Sequence, residues 1–450
     1  MNMDLNLKNL SIHETHINNQ IHIFTHSFDE IKKYYNDTLN KARDSSSFTS
    51  TNDECTNIDC VVEMLSKVPS EFWKRNNLKI LDPCCGNGNF HCVLYNILKE
   101  IHSNEDILEN ILYFNDINKS RLNNVHSIFG KDDIQLNITN QDFLSKEFCN
   151  NNNQLFDMIV ANPPYAKIQD NGKRASKNHN LIKPFLEKSL ELLKPNGFLV
   201  FITPDNWMSV ADRNTVIEKL TELQFHYLNI HSAKKWFPKV GSSFTWYIIE
   251  NCPYNSPFYV EGIYNSKVFK SKVQSMKRDC IPLLYTNYIQ SILRKTIENE
   301  ELPKFKIETS SDLHKYTKSD LIQVACDDTF KYKLIHTPKQ TVYAKRPHKF
   351  QDGYKVFIST TDKYKLFVDA CGMTQSIAFI RCKNEEEANE ICKILKHPLY
   401  ELLNNICRWG NFNNVRILQK FPIPNEMNYD TIYESFGITP DEQKYIQDNL

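Results

Sequence analysis

The stretch Asp157-Met158-Ile159-Val160-Ala161-Asn162-Pro163-Pro164-Tyr165 constrains the chain more than any other. Asp157 to Ala161 is an apolar run of strand length, and two consecutive prolines then remove the amide donors that a ladder needs. A buried strand is therefore predicted to stop at Asn162. The turn beyond it offers one amide side chain and one backbone carbonyl, that of Pro163, with the Tyr165 ring beside them. An exocyclic amine on a flat heterocycle would meet two acceptors and a stacking surface there. Pro-Pro-Tyr alone would equally describe a proline-terminated strand with a core tyrosine. Asn-Pro-Pro-Tyr after Ile-Val-Ala is far more specific.

Upstream, Lys79 to Phe90 reads as a strand, a glycine-bearing loop and a helix running to about Lys99. Gly86 and Gly88 let a ligand approach the backbone closely. The loop has neither the GK[ST] of a phosphate-binding loop nor a full GxGxxG fingerprint. Asp82, at the strand end, could bind a cationic or hydroxyl-bearing ligand. Ile111 to Asp116 is a second apolar strand ending in an acid, with a helix from about Lys119. Asp116 is well placed for a ribose hydroxyl pair. Gln141-Asp142-Phe143 follows a third candidate strand. A lone acid at a strand end is usually solvated, but three in order with a glycine loop are harder to dismiss.

Downstream, Pro184 to Leu193 reads as a helix stopped by Lys194-Pro195-Asn196-Gly197, and Gly197 to Pro204 as a buried strand. Val216 to Leu223 is predicted helical, and Phe225 to His231 and Ser243 to Glu250 as strands. This alternation argues for a doubly wound α/β sheet with ligands at the carboxyl ends of its strands. Ahead of it, Phe28 to Leu39 reads as an amphipathic helix, Ser45 to Asn52 as a linker, and Thr56 or Asn57 as the cap of a helix. After about Cys252 the alternation fails and basic and aromatic residues interleave, which predicts a second, α+β domain. Within it Glu385 to Leu403 reads as one helix.

Hydrophobic residues at 41% and charged ones at 24% are ordinary for a globular protein, and the net charge is zero. From Tyr264 to Phe350, however, 17 Lys and Arg face 9 Asp and Glu, a local excess of +8 that could attract phosphates. The 13 cysteines are scattered without paired CxxC spacing, which predicts reduced thiols and neither a disulfide framework nor a zinc site. His13, His16, His22 and His26 lack partners for a metal site. No run reaches membrane-spanning length, and MNMDLNLKNLSIHETH has no secretory character.

Together these residues resemble the amino-group DNA methyltransferases, specifically the gamma class of type II adenine-N6 enzymes. The likeness is carried by residues 46 to 250 and, more loosely, by the domain after them. Asp82-Pro83-Cys84-Cys85-Gly86-Asn87-Gly88-Asn89-Phe90 is similar to that family's DPxxGxGxF loop for S-adenosylmethionine. The resemblance implies that Asp82, Pro83, Gly86 and Gly88 bind that cofactor, with Asp116 on its ribose and Asp142 and Phe143 around its adenine. Thr56 is implied at the methionine end, with Asn57 following it where the family commonly has Pro. Asn162 to Tyr165 matches the catalytic NPPY, Asn162 also lying against the cofactor. Phe237, in Trp-Phe-Pro, resembles the aromatic covering the other face of a flipped base. Lys345, Arg346 and Arg408 are candidates for DNA contacts, with plain surface charge the alternative.

The implied organisation is a polar arm over 1–45, a cofactor-binding catalytic domain over 46–252, a DNA target-recognition domain over 253–425 and a tail over 426–450. The implied partners are double-stranded DNA and a separate cognate restriction endonuclease, and the implied setting is intracellular. Methylation of RNA bases, protein glutamine or cytosine N4, and a non-catalytic DNA-binding subunit, are the competing readings.

Overall fold

The computed structural model describes residues 21–40, 55–151, 154–165, 181–210, 215–238, 243–274, 277–361, 363–408, 410 and 412–450. The linker Ser45–Asn52, His13, His16, Trp409 and Asn411 lie outside them. The chain divides into two compact units, Met1–Asp205 with Lys219–Glu261, and Asn206–Glu218 with Gly262–Leu450.

The first unit is built on a mixed sheet. Its strands are β1 (Ile80–Asp82), β2 (Leu112–Asn115), β3 (Asn137–Thr139), β4 (Phe156–Ala161), β5 (Leu193–Pro204), β6 (Leu223–Ile230), β7 (Phe244–Pro253) and β8 (Phe258–Tyr264). They stand in the order β3-β2-β1-β4-β5-β7-β6-β8. The first five pair in parallel, with Leu81 opposite Tyr113 and Ile159, and Val160 opposite Val200. β7 runs antiparallel to its neighbours β5 and β6. Chain order reverses beside β1, so the ends of β1 and β4 flank the crevice where an open α/β sheet receives ligands. Met158 to Ala161 are 0% exposed. Continuously apolar strands of this kind belong to a sheet covered on both faces.

The connecting helices are α1 (Phe28–Tyr34), α2 (Ile58–Leu65), α3 (Asn89–Leu98), α4 (Lys119–Phe129), α5 (Ile182–Leu192) and α6 (Thr215–Thr221). The Ser27 hydroxyl and the Glu30 carboxylate close a reciprocal cap on α1, which continues through a wider turn at Tyr35–Leu39. Asn57 rather than Thr56 caps α2, its oxygen accepting the Asp59 amide at 2.8 Å. Asn118 caps α4 in the same way.

In the second unit, which includes strand β9 (Lys267–Val273), two four-stranded sheets replace the alternation. The first orders β10 (Glu308–Thr309), β17 (Ile377–Arg381), β14 (Lys355–Ser359) and β15 (Leu366–Asp369). The second orders β11 (Ile322–Gln323), β13 (Gln340–Ala344), β12 (Tyr332–Thr337) and β16 (Gly372–Met373). Helices α7 (Asn287–Lys295), α8 (Glu385–Leu395), α9 (Pro398–Ile406) and α10 (Pro440–Asp448) complete it. The single helix expected over Glu385–Leu403 is two. Pro398 has no amide to donate and holds His397 extended, so α8 ends and α9 starts afresh, capped by the His397 ring. The terminal residues expected as a tail contribute Ile432, Phe436, Ile438 and Ile446 to the buried core. Among the described residues no helix is long and apolar enough to cross a membrane.

Candidate active site

The carboxyl ends of the parallel strands bring together four separated pieces of sequence. At the end of β1, Asp82 is 1% exposed and accepts the Cys84 amide at 3.0 Å. Burial pushes its carboxyl well above the ordinary range; the Cys84 amide opposes this and the nearby Asp116 adds to it. The chain then turns through Gly86 (φ +56°) and Gly88 (φ +85°), left-handed positions that suit glycine, and α3 starts at once. A side chain at Gly86 would meet open space, whereas one at Gly88 would press on the Phe129 ring at 2.9 Å.

Asp116 follows β2 and turns back onto this loop. Its carboxylate accepts the Gly86 amide at 2.8 Å and the Asn118 amide at 2.7 Å. Beneath it Asn115, fully buried, donates to the carbonyls of Pro83 (2.8 Å) and Gln141 (3.1 Å) and accepts from the Thr139 hydroxyl (2.8 Å). One side chain thus ties the loops after β1, β2 and β3 together, a role that its place at the end of an apolar run did not announce. Asp142 is exposed and accepts the Leu144 amide at 2.9 Å. Phe143 is buried against Phe148 and Phe185, with ring centroids 5.0 and 5.2 Å away.

Across the crevice Asn162 ends β4. Its amide nitrogen donates to the Thr56 hydroxyl at 3.1 Å, and its amide oxygen accepts from the Tyr165 hydroxyl. Thr56, 106 positions away in sequence, therefore fixes which way the Asn162 amide faces. Pro163 and Pro164 complete the turn. Tyr165 and Phe237 both pack on Phe244, at 5.7 and 4.5 Å between centroids, and Phe237 is 3% exposed. Phe244 was not singled out in the sequence because its place at the start of a buried strand marks it as core. It lies at this edge because β7 runs antiparallel, pairing Phe244 with Pro204.

The candidate nucleic-acid contacts lie in the second unit. Arg346 is held by Asp312 in a two-pronged pair at 2.8 and 3.2 Å, which pulls the Asp312 carboxyl down to about 2. The Lys345 ammonium sits 4.9 Å from the centre of the Phe330 ring. Arg408 follows α9 and is half-buried. Among the described residues no group of three or more His, Cys, Asp or Glu side chains is placed to hold a metal.

Two solved structures of known proteins share the fold over nearly the whole chain. One is the DrdV–DNA complex, at 10% identity and a TM-score of 0.56, covering 94% of this chain and 59% of that one. The other is a nuclease-deletion mutant of the Type ISP restriction-modification enzyme LlaGI with a DNA substrate mimic, at 13% identity and a TM-score of 0.56, covering 94% and 56%. The chain thus spans less than two thirds of the length of either. In sequence, residues 5–237, more than half of the chain, match one family description. The glycine loop, the three strand-end acids and the Asn-Pro-Pro-Tyr turn all fall within that match, and the chain belongs to the Eco57I restriction-modification methylase family.

Proposed function

We propose that the chain is a site-specific DNA methyltransferase that modifies the N6 amine of an adenine extruded from the duplex, with S-adenosylmethionine as methyl donor. The observation that carries this reading is the Asn162 amide at the end of β4, oriented by Thr56, in a turn whose Asn162 carbonyl meets the Cys84 thiol of the glycine loop after the neighbouring strand β1. The residues fit the donor. Gly86 borders open space, and Asp82 is a buried carboxyl that a cationic ligand would favour in its ionised form. Thr56, Asp82, Pro83, Gly86, Gly88, Asp116, Asp142, Phe143 and Asn162 would hold the donor, which supplies a methyl carbon made electrophilic by its sulfonium.

An adenine amine is a weak nucleophile because its lone pair is delocalised into the ring. Acceptors on its two N–H groups favour the pyramidal nitrogen of the transition state. The Asn162 amide oxygen and the Pro163 carbonyl provide them. A carbonyl oxygen has two lone pairs, so Asn162 can accept from the amine while keeping the Tyr165 hydroxyl. The remaining work is positioning. The Tyr165 ring, packed on Phe244 as Phe237 is, offers a stacking face for a base taken out of the duplex, and Phe237 is the aromatic for its other face. The basic excess over Tyr264–Phe350 suits the second unit to phosphates, and the two solved structures that share the fold were determined with DNA or a DNA mimic.

The test is base-resolution mapping of modified DNA from cells expressing the wild-type chain or Asn162→Ala. Adenine-N6 methylation at one short motif, abolished in the variant, is the expected result. Unmodified DNA from cells whose wild-type protein binds S-adenosylmethionine would overturn the DNA reading. RNA and protein glutamine would then be the substrates to examine.

A further inference from the structure

The segment 21–40 was expected to be a polar arm outside the catalytic domain, yet Tyr35 is 0% exposed. Its hydroxyl donates to the carbonyl of Asn87 at 2.7 Å, the residue between the two left-handed glycines. A side chain at Gly88 would meet that same hydroxyl at 3.6 Å, so Tyr35 and Phe129 wall one side of the loop. Five residues on, the Asn40 oxygen accepts from the Asn89 amide at 3.0 Å, and Asn89 donates as well to the Thr56 carbonyl at 2.6 Å. Asn36 accepts the Ile58 amide at 3.0 Å and donates to Asp59 at 3.2 Å, while Lys32 pairs with Asp59 at 3.0 Å. The segment thus grips both the glycine loop and the start of α2, where Thr56 orients Asn162.

We propose that residues 21–40 clamp the glycine loop and that Tyr35 is a positioning residue for the methyl donor, holding the Asn87 carbonyl so that the loop keeps its binding shape. This rests on the donor assignment made above. The physical reason is specific to the loop. Glycine has more backbone freedom to lose than any other residue, so ordering a loop with two of them on binding weakens affinity unless neighbours have already ordered it. A buried hydroxyl on the carbonyl between those glycines, and an amide bridge from Asn40 through Asn89 to Thr56, provide that order before a ligand arrives. Segments 21–40 and 55–65 then act as one piece on the cofactor side, and the Thr56–Asn162 hydrogen bond extends it to the Asn-Pro-Pro-Tyr turn.

The test is calorimetric titration of the full chain with S-adenosylmethionine, and thermal melting with and without it, for wild type, Tyr35→Phe and Asn40→Ala. Tyr35→Phe keeps the ring and removes only the hydroxyl. It is expected to weaken binding about tenfold, and Asn40→Ala about threefold. The ligand-induced rise in Tm should shrink, while the ligand-free Tm stays within about 2 °C of wild type. A merely structural role would do the reverse, lowering the ligand-free Tm and leaving affinity unchanged, and would overturn the proposal. Asn40→Ala repeats the comparison should Tyr35→Phe fold poorly. A wild-type chain that does not bind S-adenosylmethionine would instead sink the donor assignment, and the clamp with it.

Discussion

Asp82 sits 1% exposed at the strand end with a second acid, Asp116, beside the same loop. An acid whose native pKa is raised stabilises the fold below the ordinary carboxylate range, and that stability is lost as pH rises through the raised value. At neutral pH the side chain therefore costs stability, a cost that the proposed donor site would explain. Asp82→Asn retains an oxygen for the Cys84 amide and carries no charge. It should raise the ligand-free Tm by about 2–4 °C near pH 8, by less at pH 5, while abolishing S-adenosylmethionine binding. Melting curves at the two pH values check this, and a variant less stable than wild type at both would contradict it. Asp82 and Asn162 were legible in the sequence because each is the first polar residue after an apolar run. Tyr35 and Phe244 were not. Their parts in the site come from partners 52 residues away for Tyr35 and, for Phe244, from the antiparallel direction of β7.

The β1–α3 loop sets two glycines to different tasks. Both have positive φ, but only Gly88 is walled by Phe129 at 2.9 Å, while Gly86 borders open space. An alanine at either position pays roughly 1–2 kcal/mol for the left-handed backbone. At Gly88 it also displaces a fully buried ring, so Gly88→Ala should destabilise by about 2–4 kcal/mol. Gly86→Ala should lose only the backbone part yet weaken donor binding more than tenfold, since its methyl group enters the space left for a ligand. Chemical denaturation paired with a binding titration separates the two, and equal effects on stability would refute the distinction. Elements of this kind were read correctly from periodicity and caps, from Asn57 ahead of α2 to Lys119 at the start of α4. The α8–α9 break was missed because an apolar stripe persists through Glu385–Leu403, although Pro398 inside it is a local stop signal. The sequence offered Arg346 as a candidate DNA contact but not its partner, because Asp312 is 34 residues away and meets it only in the folded unit.

Across the whole molecule, acid should act through buried imidazoles. Burial pulls His91 down to about 3 and His348 and His397 to about 4, and lowers His336 as well. The neutral rings are structural. The Nδ1 atom of His348 accepts the Phe350 amide at 3.0 Å, and that of His397 accepts the Leu399 amide at 3.2 Å, capping α9. A protonated ring cannot accept. Because these native pKa values lie below the unfolded one, their contribution is complete above about pH 6.5 and is lost as pH falls through about 4. Asp312 acts in the same direction at lower pH, being stabilised by Arg346 above the ordinary carboxylate range and losing that towards about 2. Asp82 and Glu298, both raised by burial, oppose the trend. His397 alone can contribute on the order of 2–3 kcal/mol across the window. His397→Asn keeps a side-chain oxygen for the α9 cap but removes the titrating ring and its contacts with Tyr429 and Tyr433 at 4.8 and 4.5 Å. The variant should therefore melt lower than wild type at pH 7.5, yet lose less Tm between pH 6.5 and 4.5. Scanning calorimetry across that range decides it: an unchanged slope would mean that α9 is not where acid begins to loosen the protein.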